Sequence, residues 1–558
     1  MAERIGVFVC ECGPNIAENV DIDELLEAAS AMKDVALAER HKLLCSPDGQ
    51  KFLAEKIAGL HLTRLVVAAC SPRQHEPTFM GVCEGAGMNP YFLQMANIRE
   101  HCAWIIEDKA QATDKALRHL RAAIARVAHH APLEKRQIDC NGDVLIIGGG
   151  VAGMRTALLT ASGEREVYLV ERAPALGGAV AQFEKLFPTL ASGPEFVQKM
   201  IDKIRANSHI HVLTESEPIE VVGFFGNFIV TVRRKDATCL DLEVGAVVLA
   251  TGFELLGPQE LESYGYGTIA DVYTSLEFER MNATGRVVCS NGKAPESVAV
   301  VHCVCRGEKG YCSAVCCAYS MKFAHYLSEK VPRASVTAFC SDLCLPGGVK
   351  GASLDAVEKP VELIRGSVTR IEANGEQARA SYVAEGGSEE SRCFDMVVLS
   401  PPMVAAHDTE RIAEMLNIPL GKQGFFAEEH EKLSPVATSL EGVFIAGCAQ
   451  GPKGIEESIT QAEAVAGRIL SSLVPGRKLE TEAKTSEISQ VLCKGCRTCL
   501  NVCTYGAISF EEIKGICVVN EVLCRGCGNC AAACPSGAAR VKHFTPRQIA
   551  REVAGVLK

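Results

Sequence analysis

Short apolar runs alternate with longer amphipathic stretches over most of this chain, the rhythm of α/β units. In residues 1–135 the apolar runs Ile5–Cys10, Leu62–Cys70 and Tyr91–Met95 read as strands. Asp23–Ala31 and Lys109–Val127 place apolar residues at helical spacing between and after them. Residues 140–296 form a second α/β stretch. Residues 297–395 read as a further α/β unit inserted into it, and residues 396–471 as its return. Residues 472–488 are polar and hold Pro475 and Gly476, which predicts a linker. Residues 489–558 are a small cysteine-rich module, with Pro546–Leu557 as a closing helix.

Composition narrows the class. The chain has 558 residues, 47% hydrophobic and 22% charged, enough for three or four packed domains. Net charge is −11 and no long basic run occurs, which argues against a nucleic-acid partner. No apolar stretch approaches the roughly 18–20 residues that span a bilayer. The N-terminal MAERIGVFVCECG lacks the basic and apolar regions of a signal peptide, so a cytoplasmic location is expected. In that reducing compartment 27 cysteines read as metal ligands or redox groups rather than a disulfide framework.

Two cysteine runs carry the strongest chemistry. They are CKGCRTCLNVC (Cys493, Cys496, Cys499, Cys503) and CRGCGNCAAACP (Cys524, Cys527, Cys530, Cys534). Each is C-x2-C-x2-C-x3-C, the pattern of two-cluster bacterial ferredoxins, in which the fourth cysteine of each run ligates the other cluster. Cys493, Cys496 and Cys499 therefore pair with Cys534, and Cys524, Cys527 and Cys530 with Cys503. Zinc also takes C-x2-C pairs but has little use for eight cysteines in two copies of this spacing.

A nucleotide site opens at Asp143–Ile147, a short apolar strand followed by GGGVAG. Gly148 allows the tight turn, Gly150 the approach of a pyrophosphate, and Gly153 the packing of helix on strand. The strand VYLVE ends at Glu171, placed to hold a ribose hydroxyl, with Arg172 beside it. Gly177 and Gly178 of LGG, Ala250, Thr251 and Gly252 ending VVLATGF, and Gly447 of GVFIAGCAQGP follow in order. That succession is similar to the two-dinucleotide-domain flavoprotein reductases and favours FAD over NAD. Such reductases open their second unit with a strand and another glycine turn. Here the strand Ser297–Cys303 runs into CVCRGEKGYCSAVCC, with Cys303, Cys305, Cys312, Cys316 and Cys317. A further four-iron cluster is expected there, with a redox-active thiol set as the alternative.

Cys10, Cys12, Cys45, Cys70 and Cys102 follow apolar stretches near the N-terminus. If the strands are parallel, these thiols gather at one sheet edge. Cys10, Cys12, Cys45 and Cys70 are the preferred cluster ligands and Cys102 the substitute. Ordinary buried cysteines are the alternative. Cys340 and Cys344 (CSDLC) are either a chelating pair or ordinary cysteines. His75 and His302 read as satisfied polar residues.

The run C-x-C-x6-C-x3-C-C, with Tyr311 inside it and Lys322 downstream, resembles the A-subunit family of heterodisulfide reductases. GVFIAGCAQGPKGIEESITQAEA (Gly442–Ala464), CECGPNIAENVD, LLCSPDGQ, VVAACSPRQHEPTF and ANIREHCAW resemble the same family. The resemblance covers nearly the whole chain. It implies a thioredoxin-reductase-like FAD-binding Rossmann domain with a second inserted α/β unit. An N-terminal α/β iron–sulfur domain and a C-terminal two-cluster ferredoxin domain complete the expected fold. It implies a noncovalent FAD that splits electron pairs between high- and low-potential acceptors, with ferredoxin-like 4Fe-4S clusters as exits. The expected partners are the iron–sulfur and the dehydrogenase- or hydrogenase-linked subunits of such a complex, ferredoxin, and a second copy of the chain. A one-gradient flavoprotein conduit and a non-catalytic wiring scaffold are the rival readings. Lys322 is a candidate to place a cation near the flavin, or else a solvated surface lysine. The chain departs from the family in two places. Family members carry an inserted ferredoxin module before the Ala-Thr-Gly strand, where Val232–Glu243 is a short connection holding Cys239. They also often carry a cysteine pair after Phe-Pro-Thr-Leu, where Phe187–Leu190 continues ASGPEF.

Overall fold

A computed structural model describes residues 3–135, 137–344 and 361–557. The chain divides into two compact units, Met1–Ile138 with Glu480–Lys558, and Asp139–Leu479.

In the first unit four parallel strands lie in the order Val35–His41, Ile5–Cys10, Arg64–Ala69, Leu93–Asn97. Ile5–Cys10 is buried throughout, as an inner strand covered on both faces must be. Asp21 caps the Ile22–Ser30 helix by accepting from the Asp23 and Glu24 N–H groups. Asp108 caps Lys109–Val127 in the same way through Gln111. The cysteine-rich module is two short antiparallel pairs, Ser486–Ile488 with Ala539–Val541 and Ile508–Glu511 with Ile516–Val519. Each cysteine run carries a one-turn helix, Thr498–Asn501 or Asn529–Ala533. The expected linker therefore ends early, because Ser486–Ile488 already belongs to this module; a three-residue strand is too short to show periodicity.

The same module is fastened to the N-terminal sheet domain. The closing helix Pro546–Val556 lies so close to Lys109–Val127 that a Cβ on Gly555 would stand 2.6 Å from Ala122 Cα. Arg126 donates to Glu552 at 2.6 Å and to the His543 carbonyl at 2.8 Å. Its guanidinium stacks on the Phe544 ring.

Two large sheets lie in the second unit. One has five parallel strands in the order Ile210–Leu213, Val167–Val170, Val144–Ile147, Ala246–Leu249, Val443–Ile445, the doubly wound arrangement of a dinucleotide domain. The other has seven, ordered Val272–Thr274, Met396–Leu399, Ser297–Val301, Ser335–Cys340, Glu362–Asn374, Gln377–Ala384, Glu389–Phe394. Its first five strands are parallel and the last two extend it antiparallel. The inserted unit is thus wider than the expected 297–395, since its sheet also takes in the strands at residues 272–274 and 396–399. Contacts remote in sequence join those strands, so local pattern did not mark them. Val232–Glu243 is likewise more than a connection. It spans the turn between Asn227–Arg234 and Cys239–Val244 in a three-stranded antiparallel sheet with Ser216–Phe224. Among the described residues, no helix is long and apolar enough to cross a membrane.

Candidate functional site

The glycine loop after Val144–Ile147 turns on two contacts. Gly148 has φ +113°, and a Cβ there would lie 2.2 Å from the Ala250 carbonyl oxygen. Gly153 packs its helix on that turn, where a Cβ would stand 1.9 Å from the Gly148 carbonyl. Gly150, between them, begins the Val151–Thr160 helix with ordinary extended backbone, and a Cβ there meets nothing within 4 Å. That open space at a helix N-terminus is a cradle for an anion. Glu171 is buried and accepts from Gly149 N and Ala173 N, both at 2.7 Å. Each carboxylate oxygen has a second lone pair free for a ribose hydroxyl. Gly177 N donates to Gly149 O at 2.9 Å, so the Leu-Gly-Gly turn folds back over the loop, and Gly178 meets Gly150. Arg172 is engaged by His407, Glu254 and Asp408. Thr251 Oγ1 is buried without a partner, and Gly252 has φ +77°. Gly447, with φ +67°, sits against Ala152 of the loop's helix. The residues present fit a dinucleotide such as FAD.

Past Ala-Thr-Gly the chain crosses into the second sheet through Phe253–Leu255, paired with Met403–Ala405. The central cysteine loop abuts this crossing. Tyr311 Oη donates to Met403 O at 2.6 Å, and Met403 N donates to Ser313 Oγ at 2.9 Å. The loop leaves the Ser297–Val301 strand, shorter than expected, through Cys303 and Cys305 in left-handed backbone at φ 56° and 53°. Such backbone costs a non-glycine residue about 1–3 kcal/mol. Cys303, Cys312, Cys316 and Cys317 line one recess with His302, Tyr311 and Arg306. Cys305 faces away, donating to Glu260 O within the core. Cys340 and Cys344 stand beside the recess and interact electrostatically with Cys317. Burial pushes the Cys316 thiol pKa up to about 12 and that of Cys317 to about 11, so any metal uptake there would release protons.

Lys322 lies on the Cys316–Lys330 helix and is buried, ion-paired to Glu279, with Nζ donating to Lys185 O at 3.0 Å. Its burial rules out the solvated reading. Desolvation lowers the Lys322 ammonium and raises the Glu279 carboxyl, while each charge draws the other back.

At the N-terminal sheet, Cys10 ends its strand, Cys12 and Cys45 follow neighbouring strands, and Cys70 follows Arg64–Ala69. Cys10 interacts with Cys12 and Cys45, and Cys70 with Cys10 and Cys12. Arg99 Nη1 donates to Cys12 Sγ at 3.4 Å. Cys102 is apart, buried in the Arg99–Ala103 turn with its thiol aimed at Asn97 O.

In the cysteine-rich module one recess is lined by Cys524, Cys527, Cys530 and, from the other run, Cys503. Cys534 interacts with Cys496 across the runs. Ala507 N donates to Cys503 Sγ at 3.3 Å, Ser486 N to Cys524 Sγ at 3.2 Å and Ala539 N to Cys534 Sγ at 3.4 Å. Hydrogen bonds to sulfur favour the thiolate and tune cluster potential. Among the described residues no three His, Cys, Asp or Glu side chains converge on one metal-ion position. A four-iron cube instead spreads its thiolates over separate irons, so its ligands stand around a volume.

The family model for pyridine nucleotide-disulphide oxidoreductases matches residues 142–464, and that for the 4Fe-4S dicluster domain matches residues 492–538. The chain is 36% identical to the A2 iron-sulfur subunit of the CoB–CoM heterodisulfide reductase of Methanopyrus kandleri, over 92% of each chain. It belongs to the A-subunit family of heterodisulfide reductases. A second relative, the A-subunit of the H(2):CoB-CoM heterodisulfide,ferredoxin reductase of Methanothermobacter thermautotrophicus, is 35% identical over 99% of this chain and 97% of that one. Among solved structures it is similar to Lactococcus lactis thioredoxin reductase, at 17% identity over 60% of this chain and 99% of that one, with TM-score 0.42. As a member of the heterodisulfide reductase family the chain is an oxidoreductase component, an iron–sulfur flavoprotein with a ferredoxin-like dicluster domain.

Three placements at these sites could not be read from the sequence. His302 is buried at the central recess, with Nδ1 3.5 Å from Cys317 Sγ. Cys340 and Cys344 join the same place from the adjacent strand. Glu279, the partner of Lys322, comes from another helix. Only the CSDLC spacing carried any signal.

Proposed function

We propose that this chain is the FAD- and 4Fe-4S-bearing electron-transfer subunit of a heterodisulfide-reductase-like complex, where it splits electron pairs between high- and low-potential acceptors or runs that reaction in reverse. The observation that carries the reading is the cysteine loop Cys303–Cys317. It abuts the Phe253–Leu255/Met403–Ala405 crossing, at the strand end where the related reductases build a nicotinamide turn. FAD, when bound, supplies exchange between two-electron and one-electron carriers. The chain's own residues do the rest. Gly148, Gly150 and the Val151 helix hold the pyrophosphate, Glu171 the ribose, and Gly177 and Gly178 close over the loop. Lys322, held by Glu279 and Lys185 O, anchors the middle of the helix that begins at Cys316 and Cys317. Cys303, Cys312, Cys316 and Cys317 would hold one cluster, Cys10, Cys12, Cys45 and Cys70 another, and the ferredoxin cysteines two more.

The partners in this reading are iron–sulfur and dehydrogenase- or hydrogenase-linked subunits, ferredoxin, and a second copy of the chain, in the cytoplasm. The rival reading, a conduit down one gradient, is favoured by the simple turn at Lys235–Thr238 and the cysteine-free stretch after Leu190. The native complex, purified anaerobically and given one electron donor, distinguishes them. Splitting requires that ferredoxin be reduced only while a high-potential acceptor is present. Ferredoxin reduction at full rate without that acceptor would establish the conduit.

A further inference from the structure

At and beside the central recess stand more thiols than one cube uses. A four-iron cluster takes one thiolate per iron, ~4 in all, and Cys303, Cys312, Cys316 and Cys317 already line the recess. Cys344 reaches the same place from another part of the chain. The parallel pairing of Ser297–Val301 with Ser335–Cys340 sets Val301 beside Phe339, and His302 N donates to Phe339 O at 2.9 Å. The two strand ends therefore deliver Cys303 and the CSDLC turn side by side. Arg306 fastens them, with Nη1 3.9 Å from Cys303 Sγ and 3.1 Å from Asp342 Oδ2. Cys317 Sγ donates to Asp342 O at 3.8 Å and accepts from the Cys344 backbone N–H. The Cys344 thiol interacts with the Cys312 thiol.

A separate observation marks the recess as a ligand site. His302 is 5% exposed and lines it, yet its Nε2 is buried without a partner. A buried polar nitrogen left unpaired in that way is costly unless the site holds something it can meet.

We infer that Cys312 and Cys344 share one ligand position of the central iron–sulfur site, either thiolate serving while the other remains a free thiol. Two neighbouring sulfurs can serve a single corner of a cube, whose other irons take Cys303, Cys316 and Cys317. Those three are held in place: Cys303 by the tight turn and Arg306, Cys316 and Cys317 by the first turn of the Cys316–Lys330 helix. Cys312 and Cys344 lie on loops and are each part-exposed. Exchange at that corner needs only loop adjustment. It involves no change of oxidation state, since one thiolate replaces another on iron and a proton moves to the thiol released.

This inference rests on the central cluster of the proposed function, and the test separates the two. Cys303→Ser, Cys312→Ser, Cys344→Ser and the Cys312→Ser/Cys344→Ser double variant are purified anaerobically in the full-length, FAD-loaded chain. Iron and acid-labile sulfide are measured, with flavin absorbance reporting the fold. Sharing requires that each of the Cys312 and Cys344 single variants keep wild-type iron, and that the double variant and Cys303→Ser each lose ~4 irons per chain. Alkylation under anaerobic conditions gives a second readout, in which Cys344 is labelled in the wild-type protein and protected in Cys312→Ser. Loss of the cluster from Cys312→Ser alone, or retention in the double variant, would overturn the sharing. Unchanged iron in Cys303→Ser would overturn the central cluster itself. Equal labelling of Cys344 in both proteins would show that it never becomes a ligand.

Discussion

Replacing Gly150 with valine separates flavin binding from folding, because the three loop glycines stand in different surroundings. A Cβ at Gly148 or Gly153 collides with backbone at 2.2 and 1.9 Å, so substitutions there damage the turn itself. Gly150 has φ −75° and ψ −174°, backbone open to any residue, and its Cβ direction is free for 4 Å. Valine there is expected to leave the apoprotein's melting temperature within a few degrees of wild type, since an N-cap change from glycine costs only about 1 kcal/mol or less. Its methyl groups would stand where a pyrophosphate must approach the helix N-terminus. The loss combines ~1 kcal/mol of helix-terminal electrostatics with ~2–3 kcal/mol for hydrogen bonds to a charged group. That sum of ~3–4 kcal/mol corresponds to ~100–1000-fold weaker FAD binding. The assay is anaerobic calorimetric titration of deflavinated protein with FAD, alongside a thermal melt. An unchanged dissociation constant with an unchanged melt would show that the phosphates do not sit at Gly150.

Iron and sulfide analysis of anaerobically purified protein is expected to give ~16 irons per chain, four cubes; a value near eight would leave only the ferredoxin pair. The purified, FAD-loaded chain should not be bleached rapidly by NADH or NADPH, because Cys303 and Cys305 occupy the turn where phosphate-binding glycines are needed, and rapid stoichiometric bleaching without a partner would contradict this. Lys322→Ala should destabilise the chain by about 3–5 kcal/mol by leaving Glu279 buried and unpaired, and a Lys322→Met/Glu279→Leu variant should recover much of it; equal melts for the wild-type and Lys322→Ala proteins would refute the pairing. His130 is buried against His543, and its pKa is lowered by burial to about 3. The folded protein therefore binds fewer protons than the unfolded chain below the ordinary histidine pKa of about 6.5, so stability is full above that value and falls as pH drops toward 3. From pH 7 to 5 this site alone removes about 2 kcal/mol, and denaturant melts of the wild type and His130→Gln should differ in pH slope by that amount; identical slopes would exclude it.

The ferredoxin runs and the glycine loop were legible because their chemistry is local. Metal-ligand spacing within a turn, and a glycine that must lie at φ +113° under the Ala250 carbonyl, leave their mark on consecutive residues. Strands buried on both faces, such as Ile5–Cys10, were visible for the same reason. The borders of the inserted unit were not, since Val272–Thr274 and Met396–Leu399 belong to its sheet only through pairing with each other and with Ser297–Val301. Lys322 was visible as a residue but not as a buried one, because its carboxylate partner Glu279 comes from a different helix.

By itself, the order of residues determined which cysteines come in the ferredoxin runs, where the glycine turn after Val144–Ile147 begins, and that no such turn follows Ser297–Val301. Tertiary structure decided which thiols meet. Parallel strands deliver their carboxyl ends to one edge, so Cys45 joins Cys10, Cys12 and Cys70 while Cys102 turns inward, and Cys344 arrives beside Cys312. It also decided that the ferredoxin module rests on the N-terminal domain, through Arg126, Glu552 and the close approach at Gly555. Spacing along a chain is set by covalent geometry and can be read directly. Neighbours across a sheet or between helices are set by strand order and burial, which no short stretch of sequence contains.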